Sequence, residues 1–222
     1  METQSQKKFL HRGPILKAAL IFIVSFAVFL VLWLAVKGYY GTFITTVSSY
    51  AAAAVKDAKV VDITRMDDVV QVGFIPDKFG VAQVYKTSID VPVANYGFNV
   101  PLTLAIMAAF FPFLKSRRVY IEAIAILVFV HFLFIFTLEG ERLTSVFVSQ
   151  GYEKESSVST VFWQFLWGFI DNMVVRFEPF LIGAYLFFFR NRQVTAKPKK
   201  EKEKKVKETR RSQRSKGKKS KR

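Results

Sequence analysis

Residues 18–36, AALIFIVSFAVFLVLWLAV, run without a single charged side chain. As a helix they would cover about 28 Å, close to the hydrocarbon thickness of a bilayer. No backbone other than a helix or a closed barrel satisfies its own polar groups in lipid. The fold class expected is therefore a polytopic all-α membrane protein. Lys7, Lys8, Arg12 and Lys17 precede the run, as they would in a secretory signal. A signal, however, has a shorter apolar stretch followed by a small-residue cleavage site. Here AVKGYYGTF follows, and the reading is an uncleaved anchor.

Three further spans are expected. Residues 98–114, FNVPLTLAIMAAFFPFL, are closed by Lys115, Arg117 and Arg118. Pro101 falls in the first turn, where its missing N–H costs little, and Pro112 ends or bends the helix. Residues 119–138 form the third span, and 161–189 the fourth, opening as an interfacial helix. The amino terminus (1–17), the 115–118 loop and the tail from Arg190 and Arg192 onward are basic, whereas 37–97 and 139–160 carry mixed charge. Positive residues stay cytoplasmic. Four spans with both termini inside satisfy every connection, and imply a bacterial cytoplasmic membrane with 37–97 and 139–160 in the periplasm.

The outer segment has its own pattern. Phe43, Val47, Tyr50 and Ala54 recur at helical spacing, so the first span is expected to continue outward. VVDITRMDDVVQVGFIP and VAQVYKTSIDVPV, joined by DKFG, are rich in β-branched residues and read as a small antiparallel hairpin or three-stranded sheet. Asp67 and Asp68 are adjacent, match no calcium loop and would point to opposite faces of a strand. They read as solvated surface.

Ionisable residues inside spans demand a reason. The fourth span carries Asp171, Asn172, Arg176 and Glu178, with Pro179 behind the glutamate, and the third carries His131. Counting at 1.5 Å per residue from the outer ends puts His131, Arg176 and Glu178 roughly 9–12 Å deep, at one level. On an α-helix Arg176 and Glu178 point apart, Asp171 shares a face with Glu178, and Asn172 with Arg176. The charges are thus expected to meet other helices or the outer loop, with His131, Glu139, Glu141 and Arg142 as partners. Pro179 marks a bend that frees carbonyls. Two readings stay open: an inter-helix polar tie, or an outward pocket that grips a peptide, a headgroup or another membrane protein. Glu122, one turn from Arg118, pairs there. Trp163 and Trp167 read as an interfacial aromatic belt.

The formal charge of +16 belongs to one end. Residues 191–222 hold 16 of the 33 Lys and Arg but 3 of the 17 acids, a net of +13. This tail, 190–222 with Arg190 as its first residue, cannot bury a core and is expected to be disordered and drawn to anionic lipid. With no aromatic residues among its lysines, sequence-specific nucleic-acid readout is not expected. The absence of cysteine excludes disulfides, thiolate metal sites and a Cys nucleophile. GxSxG, HExxH and phosphate-loop motifs are also missing, the two histidines are far apart, and no cofactor or metal is expected.

The segments NYGFNVPLTLAIMAAFF and RFEPFLIGAYLFFFR, with four spans and a Lys-rich tail, resemble bacterial exosortase H-associated membrane proteins. These accompany an exosortase, a polytopic transpeptidase-like enzyme that processes carboxy-terminal sorting tags. The resemblance covers most of residues 15–190. Exosortases use a Cys, an Arg and a His; this chain has Arg176 and His131 but no Cys, so the resemblance implies a non-enzymatic accessory role. Two other classes remain open: a membrane enzyme acting on lipid or polysaccharide precursors, and a scaffold of an envelope or secretion complex.

Overall fold

The computed structural model describes residues 12–77, 86–114, 116–152 and 157–189. The expected DKFG connection, Lys115 and the tail with Arg190 and Arg192 lie largely or wholly outside these. Helix α1 spans Arg12–Val55, about 66 Å of continuous helix. A three-stranded sheet follows, β1 (Ala58–Met66), β2 (Val69–Pro76) and β3 (Thr87–Pro92), antiparallel in the order β1-β2-β3. The one-turn α2 (Ala94–Gly97) leads into α3 (Asn99–Phe110). Helix α4 spans Arg117–Ser149 and α5 spans Ser157–Phe169. A π-helical stretch, Ile170–Val175, joins α5 to α6 at 176–189.

Among the described residues, three helices are long and apolar enough to cross a membrane: Ile15–Val55, Arg117–Ser149 and Val158–Phe189. The expected second span takes the form of the shorter α3. It starts beside Pro101 and gives way to turns at Phe111 and Pro112, where the proline cannot continue the ladder.

The first helix does continue beyond its charge-free run to Val55, but its packed face is not the one that the Phe43–Val47–Tyr50 spacing suggests. Those side chains are exposed, while Ile44, Thr45, Ser48, Ser49, Ala52 and Ala53 are buried. Small and hydroxyl side chains let the sheet and α4 approach closely. The sheet turns one face onto this surface: Val70, Val72 and Phe74 of β2 and Ile89 and Val91 of β3 are buried, following the two-residue period of a strand. With Tyr96, Phe134, Ile135 and Leu143 they form the outer core. An inner core joins Val100, Met107, Val119, Ala123, Leu127, Ile182 and Leu186 from α3, α4 and α6.

The β1–β2 connection is the two-residue turn Asp67–Asp68, Met66 pairing with Val69. Asp67 takes a φ of 49°, which aspartate tolerates better than most residues. Asp68 closes onto Lys37 of α1 at 2.6 Å. Helix α5 folds back along α4, where the Trp163 ring occupies the space that a Cβ at Gly140 would fill.

Candidate functional site

One polar side chain from each of α1, α3, α4 and α6 meets at a single point. The Tyr40 hydroxyl lies 2.7 Å from His131 Nδ1. On the other side of the ring, His131 Nε2 stands 3.1 Å from Glu178 Oε2, though its N–H is not aligned for a hydrogen bond. Asn99 Nδ2 lies 3.4 Å from the same carboxylate oxygen and donates to the Val175 carbonyl at 2.6 Å. His131 and Glu178 are 0 % and 1 % exposed. In the tautomer that carries its proton on Nε2, Tyr40 donates to Nδ1.

The local sequence explains the Asn99 contact. Pro179 has no N–H for the carbonyl four residues back, which is that of Val175. A freed carbonyl in an apolar bundle needs another donor, and the Asn99 amide supplies it. Aromatic rings wall the cluster: Tyr96 packs on His131 at 5.0 Å between centroids, and Trp33 on Tyr40 at 5.2 Å. Glu178 Oε1 has no hydrogen-bond partner among the described residues.

Arg176 does not join this meeting point. Its side chain is 67 % exposed and stands 3.9 Å from Asp171. The α-helical spacing puts these two residues on different faces, but Ile170–Val175 is π-helical. Bonds from i to i+5 bring residues five apart onto one side. Asn172 does not turn towards Arg176; its amide donates to the Gly168 carbonyl at 2.9 Å. The Asp171–Arg176 pair sits among the exposed apolar side chains Met173, Phe177 and Phe180.

The remaining expected partners lie elsewhere. Glu139 is buried on α4 and accepts from Ser49 Oγ at 2.6 Å. Glu141 and Arg142 stand 3.5 Å apart. Tyr96, in the segment between sheet and α3, lies near Thr45 and Glu139. Arg118 Nε meets Glu122 Oε1 at 2.8 Å, and the Tyr185 hydroxyl donates to the other Glu122 oxygen. Trp163 is 7 % exposed and Trp167 half-buried, so the α5 surface is formed by Val158, Val161, Phe162, Phe165 and Phe169 instead.

Tyr40 and Asn99 are the members that sequence reasoning misses. Both are uncharged, and neither stands out at a helix end. Asn99 did have a signal: a freed carbonyl behind Pro179 calls for a side-chain amide on a neighbouring helix. Among the described residues no cluster of three or more His, Asp or Glu side chains could hold a metal ion. The chain matches no family model, no curated protein and no solved structure.

Proposed function

We propose that the chain is a multi-pass protein of the bacterial cytoplasmic membrane, with four crossings and both termini inside, that serves as a non-enzymatic accessory subunit for another membrane protein. By the resemblance of its second and fourth spans, that partner is an exosortase or its tagged substrate. The observation that carries the reading is the Asp171–Arg176 pair. An ion pair on a lipid-facing helix gains little from a 3.9 Å separation and is costly unless headgroups or a partner's polar groups surround it.

The burial pattern favours this over an enzyme of lipid or polysaccharide precursors. An acid or base must reach the atom it protonates, and His131 and Glu178 are sealed inside the bundle. They act as the tie between helices, while Arg176 and the α5 aromatic face remain available. A scaffold in an envelope complex would use the same surfaces.

Crosslinking in native membranes followed by co-purification tests the proposal. An exosortase or tagged secreted protein recovered with wild type should be lost with Arg176→Ala, while membrane insertion is unchanged. Equal recovery with both chains removes this pair from the docking argument.

A further inference from the structure

A groove of about 230 Å³ opens between α1 and the α2–α3 connection, below the β1–β2 turn. Its floor and walls are Leu30, Trp33, Leu34, Val93 and Phe98, and its rim is Lys37 with Asp68. It exists because the chain bends tightly over Trp33: a Cβ at Gly97 would stand 3.1 Å from the indole ring. Leu30, Trp33 and Leu34 belong to the charge-free run that the first span presents to lipid.

We infer that this groove holds the headgroup-proximal part of one acyl chain of a phospholipid with a zwitterionic phosphoethanolamine headgroup. The inference rests on the membrane-spanning reading above. Small-molecule sites are usually roughly 300–1,000 Å³, so the groove is too small for a bulky ring ligand and takes only the headgroup-proximal part of a flexible chain. The rim carries one cation and one anion rather than a cluster of either. Lys37 has three N–H donors and Asp68 two acceptor oxygens, and one contact between them at 2.6 Å leaves capacity on both. Their side chains are 31 % and 56 % exposed. A phosphate beside Lys37 and a primary ammonium beside Asp68 match this arrangement charge for charge. An anionic glycerol headgroup satisfies Lys37 but leaves Asp68 facing a hydroxyl. A trimethylated ammonium has no N–H to give Asp68.

The test uses the full chain reconstituted into vesicles of phosphatidylethanolamine, phosphatidylglycerol and phosphatidylcholine in equal parts, followed by mild extraction and native mass spectrometry. Flotation with the vesicles reads membrane insertion separately, so failure of the spanning reading is distinguishable from failure of the groove. Wild type should retain one phosphatidylethanolamine in preference to the other two. Asp68→Asn should lower its preference over phosphatidylcholine roughly ten-fold, the loss of one charge-assisted hydrogen bond. Ala94→Trp, which fills the groove from its rim, should abolish retention; Leu34→Trp provides a second filling variant should the first fail to fold. Retention of phosphatidylglycerol or phosphatidylcholine equal to that of phosphatidylethanolamine overturns the headgroup assignment, as does an unchanged preference in Asp68→Asn. Undiminished retention in a folded filling variant overturns the groove.

Discussion

Asn99→Ala tests whether the polar meeting point works as described. The substitution removes a side-chain donor to the Val175 carbonyl, at 2.6 Å, and a longer contact to Glu178 at 3.4 Å. Leaving a buried acceptor unpaired costs about 1–3 kcal/mol, while inter-helix hydrogen bonds in membranes average about 0.6 and reach about 1.7 kcal/mol. A loss of about 1–2 kcal/mol is expected, or roughly 2–8 °C in Tm for a chain of this length on the soluble-protein scale. The sharper measurement is the double-mutant cycle with Pro179→Ala. Alanine at 179 restores an N–H that can bond the Val175 carbonyl, so the cost of losing Asn99 should shrink by about 1 kcal/mol in that background. Thermal unfolding in one detergent, with all four chains compared, gives the coupling. Additivity within about 0.3 kcal/mol would show that Asn99 does not replace the bond Pro179 removes.

Glu178→Ala removes the buried carboxylate beside His131 and Asn99 and should cost about 1–3 kcal/mol, whereas exposed Arg176→Ala should change unfolding by less than about 0.5 kcal/mol; similar losses from both would place Arg176 in the tie. Gly140→Leu drives a side chain into the Trp163 ring, with an expected cost of about 1–3 kcal/mol and a red shift in tryptophan emission as the ring leaves its seat. An unchanged spectrum would mean that α5 does not rest on α4 there.

What was legible in the sequence was set by local period and by charge. The charge-free run of α1, the β-branched segments of the sheet and the ion-bearing fourth span each follow from residues close together in the chain. The face of α1 that packs is less legible, because Thr45, Ser48, Ser49, Ala52 and Ala53 carry no hydrophobic signal and are buried for their small size. The Asp171–Arg176 pair escapes α-helical counting because one π-helical stretch changes which residues share a side. Neither the stretch nor its position has a period that could be counted. His131 and Glu178, by contrast, stood out as ionisable groups in apolar runs, and depth counting set them at one level. Their other partners, Tyr40 and Asn99, are set by packing between helices 76 to 91 residues apart, beyond the range of any periodicity.

The short α3 raises the question of how the second crossing reaches both surfaces. Its twelve residues cover only about 18 Å. The residues at its borders nevertheless keep helical geometry: Val93 at φ −64°, ψ −29°, Phe98 at −63°, −25° and Phe111 at −54°, −41°. The path from 93 to 111 is therefore wound in one sense, and the bend at Gly97 keeps it shorter end to end than the roughly 28 Å of nineteen residues in one straight helix. A crossing and a loop that re-emerges on the side it left are the two paths to separate. Because the chain contains no cysteine, single-cysteine variants decide the matter without background. Asp67→Cys and Ser116→Cys lie on either side of this path, and in right-side-out vesicles a membrane-impermeant maleimide should label the first and reach the second only after permeabilisation. Labelling of both from outside would turn 93–111 into a re-entrant segment, reduce the crossings by one and put the basic Arg117–Arg118 pair on the wrong side for its charge.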